Sequence, residues 1–164
     1  MKLTTISSIV SGRVKVNTLD AFCHVVPIDL TSIFKGYGLL PAVIGTSAQT
    51  GNWDAIGQTK TVHLSDGSQA KEMITEYQNP DYFSYIVSDF SGSLGYLITS
   101  ATGEWWFESS DSLSNRTVIR WSYTFIPKSL IAVPILWIVN KFLWARYMRS
   151  VMSTLELQID SKVF

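Results

Sequence analysis

Cysteine and histidine, the side chains that hold most zinc and iron centres, are scarce in this chain. Its 164 residues include one cysteine, Cys23, and two histidines, His24 and His63. A single cysteine excludes a disulfide within the chain. These three side chains are also too few for a zinc site of the usual four-ligand kind. The sequence therefore predicts no metal and no cofactor, and it fits a reducing, cytoplasmic setting.

Net charge is also lacking, because 13 lysines and arginines balance 13 aspartates and glutamates. No basic surface for nucleic acid is indicated. The first ten residues carry one lysine and a weak apolar run, which is not typical of a secretory signal. The apolar run that starts at Leu130 is interrupted by Asn140 and Lys141, well before the roughly 20 residues that cross a bilayer. The sequence thus predicts neither a nucleic-acid partner nor stable membrane insertion.

Hydrophobic side chains, by contrast, are abundant. They make up 46% of the chain, and 13% of all residues are aromatic, including six tryptophans. A chain of this length forms one ordinary domain with a substantial core, so residues 1–164 are taken as a single domain. The aromatic content exceeds what a minimal core needs, and part of it is expected to line a cavity.

The first third of the chain reads as a strand followed by two short helices. Residues 12–26 are predicted to be extended, and Pro27 ends the strand. Asp29 then offers an oxygen acceptor for the start of a short helix that ends near Gly36. A second short helical turn is predicted over 39–45.

Cys23 and His24 invite comparison with a nucleophile and its base. Neighbouring residues on a strand point to opposite faces, so the two side chains cannot form a dyad with each other. Cys23 is therefore expected to be a small buried hydrophobic residue.

From residue 46 to residue 126, short strand-like runs alternate with turn residues, which is typical of an antiparallel meander of six strands. One of the turns is expected over 112–115. The last strand alternates aromatic and polar residues from Ile119 to Phe125. A long helix is predicted over Lys128–Gln158, bent at Pro134.

One sheet with one long helix makes an α+β arrangement with a geometric problem. A helix about 10 Å wide cannot cover seven strands spaced about 4.8 Å apart unless the sheet curls around it. A curled sheet leaves a hollow between its concave face and the helix.

Several segments carry a resemblance to a known family, and it extends from about Val14 to Leu157. The segments are PIDLTSIF, LLPAVIG, GNWDAIGQTKTVHLSDGSQAKEMITEY, FSYIVSDF, GEWWFES and TVIRWSYTFIPKS, followed by the final helix. With these segments the chain resembles the polyketide cyclase/dehydrase group of the START-related (SRPBCC), birch-pollen-allergen-like superfamily, which has the helix-grip fold.

The resemblance implies a seven-stranded, curved antiparallel sheet that grips the C-terminal helix. It also implies a cavity for a hydrophobic small molecule such as a lipid or a polyketide. Members of the superfamily include lipid carriers, hormone receptors and cyclases, so the fold does not decide the function. Members with an iron or Rieske centre use histidine and cysteine motifs that this chain lacks.

The hairpin around Asp66-Gly67 decides which charged side chains enter that cavity. A two-residue turn at 66–67 would direct Lys71 inward without a partner. A three-residue loop over 65–67 would instead place Lys60 opposite Glu72, with both side chains inside. A change of one residue in register separates the two arrangements.

The second register is favoured, because opposite charges that are buried together offset each other's desolvation. In the abscisic acid receptors of plants, which the chain resembles, the matching strands also turn a glutamate into the pocket, and a basic residue stands at the place of Lys60. His63 points away from the cavity in both registers.

The predicted site is a pocket for an apolar molecule that carries one polar group. Lys60 and Glu72 would anchor the polar group, and Ile138 and Phe142 would close the cavity from the helix. The wall is predicted to consist of Val62, Ile74, Tyr85, Trp121 and Tyr123.

Two other functions remain open at this point. The protein could be a cyclase or dehydratase, with Glu72 as a buried acid or base and Tyr85 or Tyr123 as the proton donor. Alternatively, the apolar start of the final helix, Leu130 to Val139, could form a homodimer or another protein interface.

Overall fold

The structure, a computed structural model, describes residues 4–110 and 115–163. Seven strands form one antiparallel sheet in the order β1-β7-β6-β5-β4-β3-β2. The predicted α+β architecture is confirmed, whereas the turn expected over 112–115 lies mostly outside the described residues. The strands are β1 (Ile6–Val14), β2 (Val43–Ser47), β3 (Thr59–Leu64), β4 (Gln69–Gln78), β5 (Tyr82–Ser88), β6 (Ile98–Ser109) and β7 (Thr117–Pro127).

Four α-helical segments and two irregular turns complete the described chain. The helices are α1 (Thr18–Val25), α2 (Leu94–Leu97), α3 (Ala132–Val139) and α4 (Ala145–Asp160). A 3₁₀ turn covers Leu30–Ser32, and a π-helical turn over Asn140–Trp144 joins α3 to α4. The C-terminal helix is therefore continuous from Ala132 to Asp160, with a π-helical turn in its middle.

The strand predicted over 12–26 is wrong in its second half. β1 ends at Val14, and α1 begins at Thr18, after three intervening residues. Asn17 caps this helix, because its side-chain oxygen accepts a hydrogen bond of 2.8 Å from the backbone N–H of Asp20. The buried face of α1 includes Phe22 and Val25, so a short apolar run that suits a strand packs here as a helix.

The expectation for Cys23 is also wrong, because its side chain is exposed on α1. Adjacent positions on a helix do not face each other either, so Cys23 and His24 still form no dyad. The predicted helix from Asp29 is reduced to one 3₁₀ turn, in which the backbone N–H of Thr31 donates a hydrogen bond to the Asp29 carboxylate. The helical turn predicted over 39–45 is absent from this described segment, since β2 begins at Val43.

The concave face of the sheet carries the alternation predicted for the last strand. Ile119, Trp121, Tyr123 and Phe125 are all buried on β7. Trp105, opposite Trp121 on β6, stacks on it with 4.9 Å between ring centres. This aromatic row lies in the core and contacts the C-terminal helix, where the ring centre of Trp144 is 6.3 Å from that of Trp121.

The C-terminal helix begins at Ala132, four residues later than predicted, and Pro134 lies in its first turn. A backbone N–H in the first turn has no acceptor within the helix, so proline is tolerated there. The bend predicted at Pro134 is therefore wrong. The departure from regular geometry lies at the π turn, Asn140–Trp144.

The π turn adds about one residue to the helical repeat and so rotates α3 relative to α4. Leu136 and Asn140 are buried as a result, whereas Ile138 and Phe142 point to solvent. The Asn140 amide is satisfied by β1, because its oxygen accepts a hydrogen bond of 2.9 Å from Ser8 Oγ. The π turn is thus fastened to the sheet at its first residue.

Helix α4 packs against β1, one of the two edge strands. Glu156 Oε1 accepts a hydrogen bond of 2.6 Å from the backbone N–H of Arg13, and Asp160 Oδ1 accepts one of 2.8 Å from that of Lys15. These carboxylates satisfy backbone donors that an edge strand would otherwise leave exposed. The helix is held at this side of the sheet, and the hollow lies toward β3, β4 and β5.

Candidate functional site in the cavity between sheet and helix

A cavity of about 130 Å³ lies between the concave face of the sheet and the C-terminal helix. Strands β3 to β7 supply one wall, and the segments around residues 25–43 and 90–94 supply another. Most lining side chains are apolar or aromatic. The space holds far more than one water molecule and has the character of a small-molecule pocket.

The register of the β3–β4 hairpin is the one that pairs the charges. Lys60 lies opposite Glu72 and Val62 lies opposite Ala70. Gly67 has a left-handed backbone with φ of 86°, which suits a bulged loop rather than a primed two-residue turn. The prediction of a three-residue loop is confirmed, and Lys71 is on the exposed face.

Lys60 and Glu72 form an ion pair at the cavity wall. Lys60 Nζ lies 3.7 Å from Glu72 Oε2, and the two side chains are only 6% and 14% exposed. The same ammonium lies 4.1 Å from the ring centre of Trp53, within the range of a cation–π contact. Lys60 is therefore held between a carboxylate and an aromatic face.

Burial acts on the two ions in opposite directions. It lowers the pKa of the Lys60 ammonium, and the neighbouring Glu72 offsets part of that change. Burial also raises the pKa of the Glu72 carboxyl, and Lys60 offsets part of that rise. At 3.7 Å the pair is longer than a charge-assisted hydrogen bond of about 2.8 Å, so neither ion fully satisfies the other.

Two phenols, Tyr85 and Tyr123, lie beside the ion pair and line the same cavity. Burial, together with the nearby Glu72 carboxylate, raises the pKa of both phenols. Both therefore stay protonated over the physiological range. Gly103 lies between them in the sheet, paired with Tyr85 on one side and with Tyr123 on the other.

Two residues predicted to form the wall lie behind it. Ile74 and Trp121 are fully buried, but they are not among the residues that line the cavity. Trp121 is covered by Trp105 on one side and by the edge of Phe34, whose ring centre is 5.8 Å away. Of the predicted wall, Val62, Tyr85 and Tyr123 face the cavity, as do Lys60 and Glu72.

The prediction that Ile138 and Phe142 close the cavity is wrong. Their side chains are 53% and 47% exposed, because the π turn rotates this part of the helix. Val139, Trp144 and Tyr147 line the cavity in their place. Trp144 has a buried indole N–H without a hydrogen-bond partner in the described part of the chain.

Tyr147 fixes a loop that the sequence did not connect with the site. Its hydroxyl accepts a hydrogen bond of 2.8 Å from the backbone N–H of Gly36 and donates one of 3.0 Å to the carbonyl of Pro41. Leu40 and Pro41 line the cavity. The helix therefore holds this part of the wall in place, a long-range contact that leaves no periodic signal in the sequence.

Within the ranges that the structure describes, no three His, Cys, Asp or Glu side chains come together to hold a metal ion. Among the same residues, no helix is long and apolar enough to cross a membrane.

Comparisons with known proteins identify the fold through solved structures. No family model matches the sequence, and no curated protein does. The structure of Ara h 8.0201 is similar with a TM-score of 0.68 and 16% identity, over 97% of this chain and 100% of the other. Ginseng major latex-like protein 151 from Panax ginseng matches with a TM-score of 0.63 and 16% identity, over 94% and 97%.

Norcoclaurine synthase from Thalictrum flavum has a TM-score of 0.66 and 13% identity, over 95% of this chain and 87% of the other. At such identities the likeness concerns the fold. The chain has the helix-grip fold that the sequence resemblance implied, and these solved structures share it.

Proposed function

We propose that this protein binds an apolar small molecule, such as a lipid or a polyketide, that carries one polar group. The observation that supports the proposal is the buried ion pair of Lys60 with Glu72 in the wall of an otherwise largely apolar cavity. An apolar body would fill the cavity, and the polar group would contact the ions.

The charges of the pair indicate which polar groups suit the site. Lys60 donates hydrogen bonds, and Glu72 accepts them when ionised. A ligand hydroxyl or carboxyl could receive a hydrogen bond from Lys60, and a hydroxyl could also donate one to Glu72. A ligand bound in this way would give Lys60 and Glu72 the hydrogen bonds that they do not make with each other at 3.7 Å.

A structural neighbour gives a parallel for the occupant. Norcoclaurine synthase has been solved in complex with dopamine and hydroxybenzaldehyde, two small aromatic molecules with hydroxyl groups. Because the same fold holds small phenols in that protein, a cavity lined by Tyr85, Tyr123 and Trp144 is suited to molecules of comparable chemistry.

The test is displacement of a fluorescent apolar anion, anilinonaphthalene sulfonate, by alkyl carboxylates, alcohols and amines of equal chain length. We expect carboxylates and alcohols to compete better than amines. Lys60→Met should weaken carboxylate binding by about tenfold or more. Lys71→Met is the matched control, because Lys71 lies on the next strand with its side chain exposed. Equal loss in both variants, or no displacement by any series, would refute the proposal.

A second measurement examines the cavity independently of the ions. Val62→Phe adds a ring to a residue that lines the cavity and should reduce uptake of every ligand series alike. Native mass spectrometry of protein purified from its own cells would then identify the natural occupant by its mass.

An acid–base enzyme of the cyclase type is the second candidate, and the grouping of Glu72 with two protonated phenols supports it. Glu72 would remove a proton next to a carbonyl, and Tyr85 or Tyr123 would donate a hydrogen bond to the enolate. The assay is deuterium exchange at the α carbon of an aryl 1,3-diketone, followed by NMR.

In that assay Glu72→Gln should abolish the catalysed exchange and leave binding of the diketone intact. Glu76→Gln, a substitution at an exposed position of the same strand, is the control. Exchange that persists in Glu72→Gln would exclude this role and leave the binding proposal standing.

A further inference from the structure

Large apolar side chains are exposed together around the start of the C-terminal helix. Four of them, Ile131, Ile135, Ile138 and Phe142, recur at helical spacing and therefore share one side of the helix. We call the full set the apolar strip: Leu130 (71% exposed), Ile131 (81%), Ile135 (45%), Trp137 (51%), Ile138 (53%) and Phe142 (47%). Contiguous exposed apolar surface of this kind marks an interaction site.

Two loops next to the strip each expose another large side chain. Tyr96, 83% exposed in α2, adjoins the strip because Lys128 bonds to the carbonyls of Gly95 and Leu97. Leu39 is 91% exposed and follows Gly38, whose Cα faces the side chain of Leu143 in the π turn. Both segments also contribute to the cavity wall, through Leu94 just before Tyr96 and through Leu40 just after Leu39. These two segments and the C-terminal helix therefore line the cavity and expose apolar surface as well.

The stretch of chain that carries the strip has charge of one sign. From residue 128 to residue 155 the chain contains Lys128, Lys141, Arg146 and Arg149 and no aspartate or glutamate. All four side chains are exposed. Lys141 Nζ lies 4.7 Å from the ring centre of Trp137, so a cation and an exposed indole stand together. The local charge is therefore +4 in a chain whose formal net charge is zero.

We propose that this face docks reversibly on an anionic lipid bilayer. The apolar strip would enter the boundary between headgroups and acyl chains, and the four basic side chains would contact lipid phosphates and carboxylates. Tryptophan beside a cation suits that boundary, because each has an apolar body and a polar end. The proposal goes beyond ligand binding and does not depend on it.

The alternative occupant, a second copy of this chain, fits the charge less well. A twofold dimer brings the same patch of each copy together. Here it would place four cations of one copy near four of the other, with no carboxylate in residues 128–155 to offset them. An anionic bilayer removes that repulsion.

The experiment is co-sedimentation of the intact protein with phosphatidylcholine vesicles, with and without phosphatidylserine, at low and high salt. We expect binding that requires phosphatidylserine and is lost at high salt. Leu130→Asp/Ile131→Asp should weaken it by at least about tenfold. Leu157→Asp is the matched control, because Leu157 is 73% exposed on α4 outside the strip.

Both strip positions precede α3 and are largely exposed, so the double variant should keep the thermal unfolding midpoint of the wild type. Lys141→Glu/Arg149→Glu tests the cations separately and should also lose vesicle binding. Wild-type protein that ignores phosphatidylserine, or binds neutral vesicles equally well, would overturn the proposal. So would a concentration-dependent dimer that Leu130→Asp/Ile131→Asp converts to monomer.

Loss of vesicle binding by the strip variants, with displacement of anilinonaphthalene sulfonate unchanged, would support docking as a separate property. Failure of ligand displacement in the wild type, with vesicle binding intact, would remove the proposed ligand and leave the docking surface.

Discussion

The ring of Tyr85 lies directly over the Cα atom of Gly103, its cross-strand neighbour on β6. A methyl group at Gly103 would overlap the phenol carbon and hydroxyl of Tyr85. The glycine therefore allows a large polar side chain to lie flat on the concave face and reach the cavity.

Gly103→Ala should accordingly destabilise the protein by about 1–3 kcal/mol, the usual cost of overpacking. Urea unfolding measures it. Gly45→Ala is the control, because an added methyl at that strand glycine meets nothing within 4 Å. Adding Tyr85→Leu should recover part of the loss, since the two positions are in contact; a strictly additive double variant would contradict the contact.

Removing one member of the Lys60–Glu72 pair should destabilise the protein more than removing both. Lys60→Met leaves the Glu72 carboxyl buried without its cation, and we expect a loss of about 3 kcal/mol in the free energy of unfolding. Lys60→Met/Glu72→Leu removes both charges and should lie within about 1 kcal/mol of the wild type. Chemical denaturation of the wild type, of Lys60→Met and Glu72→Leu singly, and of the double variant gives the coupling energy. Near-zero coupling would refute a paired arrangement.

The pH dependence of stability should report the Glu72 carboxyl. Burial raises its folded-state pKa above the ordinary 4.5, so the folded protein keeps a proton that the unfolded chain releases. Stability contributed by the neutral carboxyl is present below that ordinary value and is lost as pH rises through the raised pKa. Glu72→Gln should flatten this part of the profile in urea titrations, and a slope equal to that of the wild type would contradict the assignment.

The hydroxyl of Tyr147 should control the loop at the cavity wall. Tyr147→Phe deletes the hydrogen bonds to Gly36 and Pro41, and we expect a loss of about 1–2 kcal/mol in stability. Dissociation of anilinonaphthalene sulfonate, followed by stopped flow, should become faster because the loop is held less firmly. Tyr96→Phe is the control, since Tyr96 is 83% exposed; equal dissociation rates in both variants would contradict the role of the loop.

The sheet was predictable from sequence because its signals are local and repeated. Alternation on β7 fixed the inward face, and the charges of Lys60 and Glu72 distinguished two hairpin registers that turn residues alone left open. Burying both ions together is less costly than burying one, and the structure has that register.

The errors arose where a short apolar run fits two structures. The composition of residues 18–25 is compatible with either a strand or a helix. The N-cap hydrogen bond that Asn17 accepts from Asp20 favours the helix. The phase of the final helix was missed for a different reason. Residues around the π turn are apolar on nearly all sides, so no polar stripe marks the extra residue that turns Ile138 and Phe142 outward.

The π turn also links the lining of the cavity to the exposed apolar strip. If all five residues 140–144 adopted regular α-helical geometry instead, everything before them would rotate by about 100° relative to α4. Leu136 and the apolar strip would then face other directions, and the Asn140 amide would leave Ser8. The one extra residue in the π turn thus determines both which helix side chains line the cavity and which apolar side chains are exposed.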